Sequence, residues 1–462
     1  MRIKEEWKKS GYFWLPQNAE KKIPGTLSIL DGGKIELEVV GLFDESIEAI
    51  NVNDDLKRII GHVEKDGLVT LEDCFYRTKN ISFGGISKSL VYVNKVISGV
   101  AYDKDEAVTF NTVSFVVEGI NEWVAITGIN VTHSSDFKTA TIRYIPQEEI
   151  VYNLQVGFKL HILFGYTLPG FPSSTEARIT QQTYFKLSSE NAKDFSEFNK
   201  VIHQITYLIS FSVDSTVTIS DVSATSNEIV SEISDGKTRH VNIKLYYPSL
   251  PFSDISPKIV THRMLFSFAD IRENAERVFN KWLSTYSVIR PSLGLYFSAV
   301  SGDHKYLDGK FLALAQGLET YHRRTSNETL RDESDFRSMV ASLLWNCPKQ
   351  NRKWLRGRIY HGNEINLGQR IKRIIEPYKS YLGNSKQRNK FIRDVVNTRN
   401  YLTHYSEELE KDAVKGSELW GICQKMEAVF QLHLLQQLGF DEPDIKRILS
   451  NNYKLRQKLD EI

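Results

Sequence analysis

Pro248-Ser249-Leu250-Pro251-Phe252-Ser253-Asp254-Ile255-Ser256-Pro257 is where this chain changes rhythm. Before it, apolar residues alternate with polar ones or gather in short β-branched and aromatic runs. After it, they recur at three- and four-residue steps. The first rhythm belongs to strands and the second to amphipathic helices. The stretch therefore divides a β-rich half, residues 1–265, from an all-α half, residues 266–462, giving an α+β multidomain organisation. A chain of 462 residues exceeds what one hydrophobic core ordinarily serves, which agrees with such a division. A further break near 150, after Ile145-Pro146, is expected to part the β half into two subdomains.

Within the β half, 25–39 alternates apolar and polar residues on either side of Asp31-Gly32-Gly33. That pattern predicts a hairpin, because glycine tolerates the positive φ of a tight turn. Further runs at 91–97, 109–117, 123–127, 140–145, 158–164, 216–222 and 241–247 read as strands, so a sandwich or barrel is expected. One helix, from about 189 to 211, interrupts them through Phe195, Phe198, Ile202, Ile205 and Ile209.

Downstream, apolar stripes predict six to eight helices in a bundle. They include Ile271 to Tyr286, Phe311 to Tyr321, and Phe336-Met339-Val340-Leu343-Leu344 stopped by Pro348. A segment from about 385 to the Arg399 region follows, and a long helix from Leu419 to Leu434 ends at Gly439, a natural terminator.

The composition, 41% hydrophobic and 25% charged, is that of a globular chain. No apolar run reaches the ~18 residues of a membrane span, and Met1-Arg2-Ile3-Lys4-Glu5-Glu6-Trp7-Lys8-Lys9 lacks the apolar centre of a secretory signal. Cys74, Cys347 and Cys423 are scattered, which suits a reducing cytoplasm. His322, His361 and His433 lack the spacing of metal ligands, and neither a phosphate-binding glycine loop nor a Gly-x-Ser-x-Gly turn occurs. A soluble cytoplasmic protein without metal or cofactor is expected.

The net charge of +2 hides a division: residues 271–462 carry +9 and residues 1–270 carry −7. Between 349 and 399 there are 14 Lys and Arg against 3 Asp and Glu. Such a surplus attracts polyanions, with Lys353, Arg356, Arg358, Arg373, Lys390 and Arg393 as candidate RNA contacts. The surplus ends at Asn397-Thr398-Arg399-Asn400-Tyr401-Leu402-Thr403-His404-Tyr405. A fixed cation, a titratable imidazole and a positive field suit cleavage of a phosphodiester. Tyr401 and Tyr405 are candidates to stack on bases, or else belong to the core.

Arg399 and His404 are five residues apart, about 140° around a helix, whereas Asn400 and His404 share a face. One unbroken helix cannot aim both at one phosphate. Either it bends or ends at 401–403, or two subunits each contribute. The residues leave a plainer alternative open, in which His404 is a packing histidine and Arg399 pairs with Asp394. Glu319, beside the stripe Leu314-Ala315-Leu318, is either an orienting carboxylate for Arg399 or His404, or an ordinary flank charge.

Arg399-Asn400-Tyr401-Leu402-Thr403-His404 resembles the R-x4-6-H motif, commonly R-N-x-x-x-H, of HEPN domains. Phe311 to Arg324 is similar to the early helix of the ApeA-like subgroup. Gly11-Tyr12-Phe13-Trp14-Leu15-Pro16 and Ile23-Pro24-Gly25-Thr26-Leu27-Ser28-Ile29 resemble the start of the ApeA N-terminal domain. The resemblance implies an anti-phage, abortive-infection protein whose dimeric HEPN domain is a metal-independent endoribonuclease, cutting by 2′-hydroxyl attack on single-stranded loops such as a tRNA anticodon loop. It carries the catalytic roles over to His404, Arg399 and Asn400, with Glu319 following more weakly. A phage-derived or cellular trigger would act through the β half. Two alternatives stand beside this reading: a non-catalytic RNA- or nucleotide-binding module, and a β-type ligand-binding protein with a dimerising helical tail.

Overall fold

The computed structural model describes residues 1–43, 55–82, 84–170, 175–232, 238–302 and 304–460. They form two units, Met1–Leu283 and Ser284–Ile462.

In the first unit, six antiparallel strands close into a barrel. They are β1 (Trp7–Trp14), β2 (Ile23–Ile29), β3 (Ile35–Val40), β4 (Asp55–Val63), β5 (Gly67–Asn80) and β6 (Lys88–Ser98), joined in the order β1-β2-β3-β6-β5-β4 and back to β1. The side-chain period of two sends Ile35, Leu37 and Val39 inward while Glu36 and Glu38 face out. Phe13, Leu27, Ile59, Leu71 and Val91 fill the interior with them. Gly61 is required by that filling, because a Cβ there would sit 2.5 Å from the Phe13 ring. The hairpin expected at Asp31-Gly32-Gly33 joins β2 to β3, with both glycines at positive φ (87° and 78°).

β6 also borders a second antiparallel sheet. Outward from β6 this runs through β16 (Ile243–Tyr246), β13 (Ile219–Thr225), β7 (Thr109–Val117), β12 (Thr180–Asp194), β11 (Phe158–Thr167) and β10 (Ile150–Leu154). Two hairpins stand apart, β8 (Ile129–His133) with β9 (Ala140–Tyr144) and β14 (Val230–Glu232) with β15 (Thr238–His240). The run at 123–127, expected as a strand, instead ends a short helix, α1 (Ile120–Val124). Gly119 (φ 77°) turns the chain into it, and the fully buried Trp123 donates its indole N–H to the Phe266 carbonyl at 3.1 Å. The interrupting helix is α2 (Phe195–Ser212), shorter at its start than expected because 189–194 complete β12. The Asp194 carboxylate caps it, and Phe198, Ile202, Ile205 and Ile209 bury its apolar face.

After the short α3 (Phe268–Ile271) comes α4 (Ala275–Val300), whose opening turns belong to the first unit. There Trp282 stacks on Phe211, and its N–H donates to the Gln204 carbonyl at 2.7 Å. The same turns cover the sheet's margin at β10. Glu276 accepts the Asn153 N–H at 2.9 Å, while Asn280 accepts the Gln155 N–H at 2.7 Å and donates to the Asn153 carbonyl at 2.9 Å. Later in α4, Ile289 leaves helical geometry two residues before Pro291, which lacks the N–H a continuous helix needs.

The second unit continues with α5 (Leu307–Thr325), α6 (Glu333–Asn346), α7 (Arg352–Ile359), α8 (Leu367–Ile375), α9 (Ser385–His404), α10 (Glu407–Glu410), α11 (Gly416–Leu438), α12 (Glu442–Asn451) and α13 (Tyr453–Asp460). That exceeds the six to eight helices expected, since the four-residue α10 and the stripe-poor α7 give no periodic signal. Buried α11 is the centre: its Phe430 stacks on Tyr296 of α4 and lies against Tyr321 of α5. Its Glu427, itself buried, binds Lys458 at 2.6 Å and Lys310 at 3.1 Å. Gly439, at φ 95°, ends α11 as expected. The stripe of α6 does not reach any core, because none of its residues is buried.

Candidate active site

α9 is an unbroken helix from Ser385 through His404, opened by a reciprocal Asn384–Gln387 cap. Phe391, Asp394, Val395, Thr398 and Leu402 form its buried stripe. Relative to that stripe, Arg399 falls at the edge and Asn400 and His404 on the solvent side. The helix neither bends nor ends at 401–403. It stops just after His404, where Tyr405 turns left-handed (φ 50°) and gives its N–H to the Tyr401 carbonyl at 2.6 Å.

Arg399 is half-exposed and makes two loose contacts. One guanidinium nitrogen lies 3.7 Å from Glu319 Oε2, and the other donates to Asn400 Oδ1 at 3.4 Å. Both are longer than a strong charge-assisted hydrogen bond, so N–H donors remain for an incoming anion. The alternative Arg399–Asp394 pair does not form: Asp394 is buried and takes Lys390 at 2.9 Å. His404 is exposed and has no hydrogen-bond partner among the described residues. Thr398 Oγ1 accepts the Val414 N–H at 3.0 Å, holding the chain after the motif. The rings of Tyr401 and Tyr405 meet edge to face at 5.5 Å, with Lys415 over Tyr401.

Glu319 stands on α5, whose residues Phe311, Leu314, Ala315, Leu318 and Tyr321 are buried. Its Oε1 accepts from Arg323 Nε and Nη2 at 3.2 and 3.1 Å. Arg323 also binds Glu364, which accepts from His361 at 2.6 Å and lies 3.8 Å from the buried Arg370. The Arg323 guanidinium, and after it His361, hold the Glu364 carboxyl below its usual range. Arg370 donates to His322 Nδ1 at 3.2 Å, and burial, then Arg370, hold that imidazole below 6.5. Arg399 thus sits at the end of an alternating chain of cations and carboxylates. Only the Glu319–Arg323 step has a sequence signal, the i,i+4 spacing; Glu364 lies 41 residues beyond Arg323.

Of the remaining candidates, Arg373 is engaged by Glu328 through three hydrogen bonds and Lys390 by Asp394. Lys353, Arg356 and Arg358 on α7 and Arg393 on α9 are exposed, with no ion-pair partner among the described residues, and Tyr405 is exposed too. His433 is a packing residue: it donates to the Ile374 carbonyl at 2.7 Å, and burial pulls it down to about 4. No group of His, Cys, Asp and Glu placed to hold a metal ion occurs among the described residues, and no helix there is long and apolar enough to cross a membrane.

Sequence reading also missed a cluster in the β unit. Ser188 Oγ lies 2.7 Å from His161 Nε2, whose Nδ1 lies 2.5 Å from Glu149. Lys186 takes the same Glu149 oxygen at 3.2 Å. Burial, then Lys186, hold His161 below its ordinary value. The cluster is a cross-strand polar contact.

Two family descriptions match the chain: ApeA N-terminal domain 1 over residues 8–282, and Apea-like HEPN over residues 312–444. The first spans more than half of the chain and ends inside α4. The second takes in Glu319, Arg399, Asn400 and His404. No curated protein and no solved structure matches the chain.

Proposed function

The chain belongs to the ApeA-like HEPN family, and from that premise we propose that it is a metal-independent endoribonuclease working as a dimer in anti-phage defence. One observation carries the reading: a half-free guanidinium and an imidazole without a hydrogen-bond partner among the described residues stand five residues apart at the end of one unbroken helix. They are about 140° apart around α9, so the two motifs of a two-fold pair meet one phosphate more readily than one motif alone.

The chemistry then follows from the groups present. A neutral His404 imidazole takes the proton of a ribose 2′-hydroxyl as that oxygen bonds to phosphorus. The bond from phosphorus to the 5′-oxygen breaks, and a water molecule gives a proton to the leaving oxygen. Products carry a 2′,3′-cyclic phosphate and a 5′-hydroxyl. The Arg399 guanidinium answers the charge that builds on the equatorial oxygens. Glu319 and Asn400 orient that guanidinium at distances that leave it donors to spare. A single-stranded loop, such as a tRNA anticodon loop, exposes the reacting ribose best. The acidic β unit is the natural place for an infection signal to act.

The test is cleavage of cellular RNA by purified full-length protein and by His404→Ala and Arg399→Ala. Both side chains leave the helix core untouched, so folding should persist while cleavage falls at least about a hundredfold. Cleavage at the wild-type rate by both variants would sink the reading. RNA binding without cleavage by the wild type would favour a non-catalytic binding module, in keeping with the lack of an orienting partner for His404 among the described residues.

A further inference from the structure

α6 and α7 form an arm whose apolar residues face a hollow rather than a core. The hollow has a volume of about 520 Å³, within the range that receives a small organic ligand. Phe336, Val340, Leu344, Trp345 and Tyr360 line it, with Arg356 beside them. Trp345 is 81% exposed and Tyr360 75%, two large rings left uncovered at the hollow. A soluble protein keeps such rings in water only where they meet something.

Charge identifies what they meet. From Pro348 to Asn363 the chain carries five Lys and Arg and no Asp or Glu. Arg352 is spent holding the turn, through the Cys347 and Trp345 carbonyls at 3.0 and 3.1 Å. Lys353, Arg356 and Arg358 have no ion-pair partner among the described residues. Aromatic faces interleaved with free cations are the common device for single-stranded nucleic acid, where bases stack and phosphates pair. A lipid surface would instead call for a continuous apolar face. Here the apolar residues are concave, with guanidinium groups and the Glu333 carboxylate in their walls.

The arm is also tied to the candidate site. Asn363 closes its base, accepting the Arg331 N–H at 2.9 Å and reaching Glu333 at 3.3 Å. Glu364, the next residue, binds Arg323, which holds Glu319 against Arg399.

We infer that the α6–α7 hollow receives an unstacked base of a single-stranded RNA, with Trp345 and Tyr360 as stacking platforms and Lys353, Arg356 and Arg358 on the flanking phosphates. This rests on the ribonuclease reading for its substrate class, and the test separates the two.

Full-length His404→Ala protein, which retains every arm residue, is titrated with a fluorescein-labelled oligouridylate and with duplex RNA of equal length. The expected result is a preference for the single strand, and binding about tenfold weaker on adding Trp345→Ala or Tyr360→Ala. Lys353→Gln with Arg356→Gln should flatten the slope of log K against log salt by roughly 0.7 for each cation removed. The same arm variants, carrying a native His404, should cleave more slowly at limiting RNA and recover at saturation. Arm variants that bind and cleave as their parents do, while His404→Ala alone abolishes cleavage, overturn the arm and leave the ribonuclease standing. Arm variants that keep RNA affinity but lose self-association, or adhesion to phosphatidylserine vesicles, overturn it in favour of another occupant. Absence of RNA binding and cleavage in the native chain removes the underlying reading itself.

Discussion

His433 and His404 show how far one residue type can diverge within a single unit. His404 is exposed at the last turn of α9. His433 lies between the rings of Tyr321 and Tyr378, donates to the Ile374 carbonyl, and is pulled by burial from 6.5 to about 4. Between those values the unfolded chain binds a proton that the folded chain refuses, so stability falls as the solution is acidified through that window. From pH 7 to pH 5 the loss traceable to His433 is about 2 kcal/mol. Urea unfolding at the two pH values should show it, and His433→Gln, which keeps a donor for Ile374, should remove it. Equal pH dependence in the two proteins would refute the assignment. The motif around His404 was legible because Arg399, Asn400 and His404 fall within six residues of the chain. Their surroundings were not: Glu364, Arg370 and His322 reach the site through separations that carry no periodicity.

At the scale of elements, the informative case is the end of α9. Tyr405 holds a left-handed conformation that glycine adopts without penalty and tyrosine does not. Tyr405→Gly is therefore expected to stabilise the chain by about 0.5–1 kcal/mol, unless its edge-to-face contact with Tyr401 contributes as much. If the exposed ring also stacks on RNA, the same variant binds substrate more weakly, so thermal unfolding and RNA titration should move in opposite directions. A variant that is both less stable and equally avid would contradict both arguments. Elements also show where periodicity misleads. The stripe of α6 has the spacing of a core helix yet buries nothing, since spacing reports that a face is apolar and not that a partner covers it. The run at 123–127 has strand composition, but the demand of Trp123 for one carbonyl and the positive φ of Gly119 make it a helix end. Where glycines forced a turn, at Gly32-Gly33 and Gly439, the sequence reading held.

For the whole molecule, the arrangement on α9 makes a claim about copies. If Arg399 of one copy and His404 of another serve one phosphate, mixing Arg399→Ala with His404→Ala should restore activity that neither has alone. Random pairing leaves one intact composite site in half of the dimers, so about a quarter of wild-type cleavage is expected. No recovery after subunit exchange would assign both groups to a single copy. The charge division, −7 over residues 1–270 and +9 over 271–462, makes the helical half the one that attracts a polyanion. The attachment of Glu276 and Asn280 to β10 has a different consequence. The barrel closes on itself, but the second sheet ends at β10, and unguarded backbone there would be a template on which further chains polymerise. Two side chains from α4 occupy the hydrogen-bonding positions an intruding strand would use. That margin of the sheet is thereby closed to strand addition at Asn153 and Gln155.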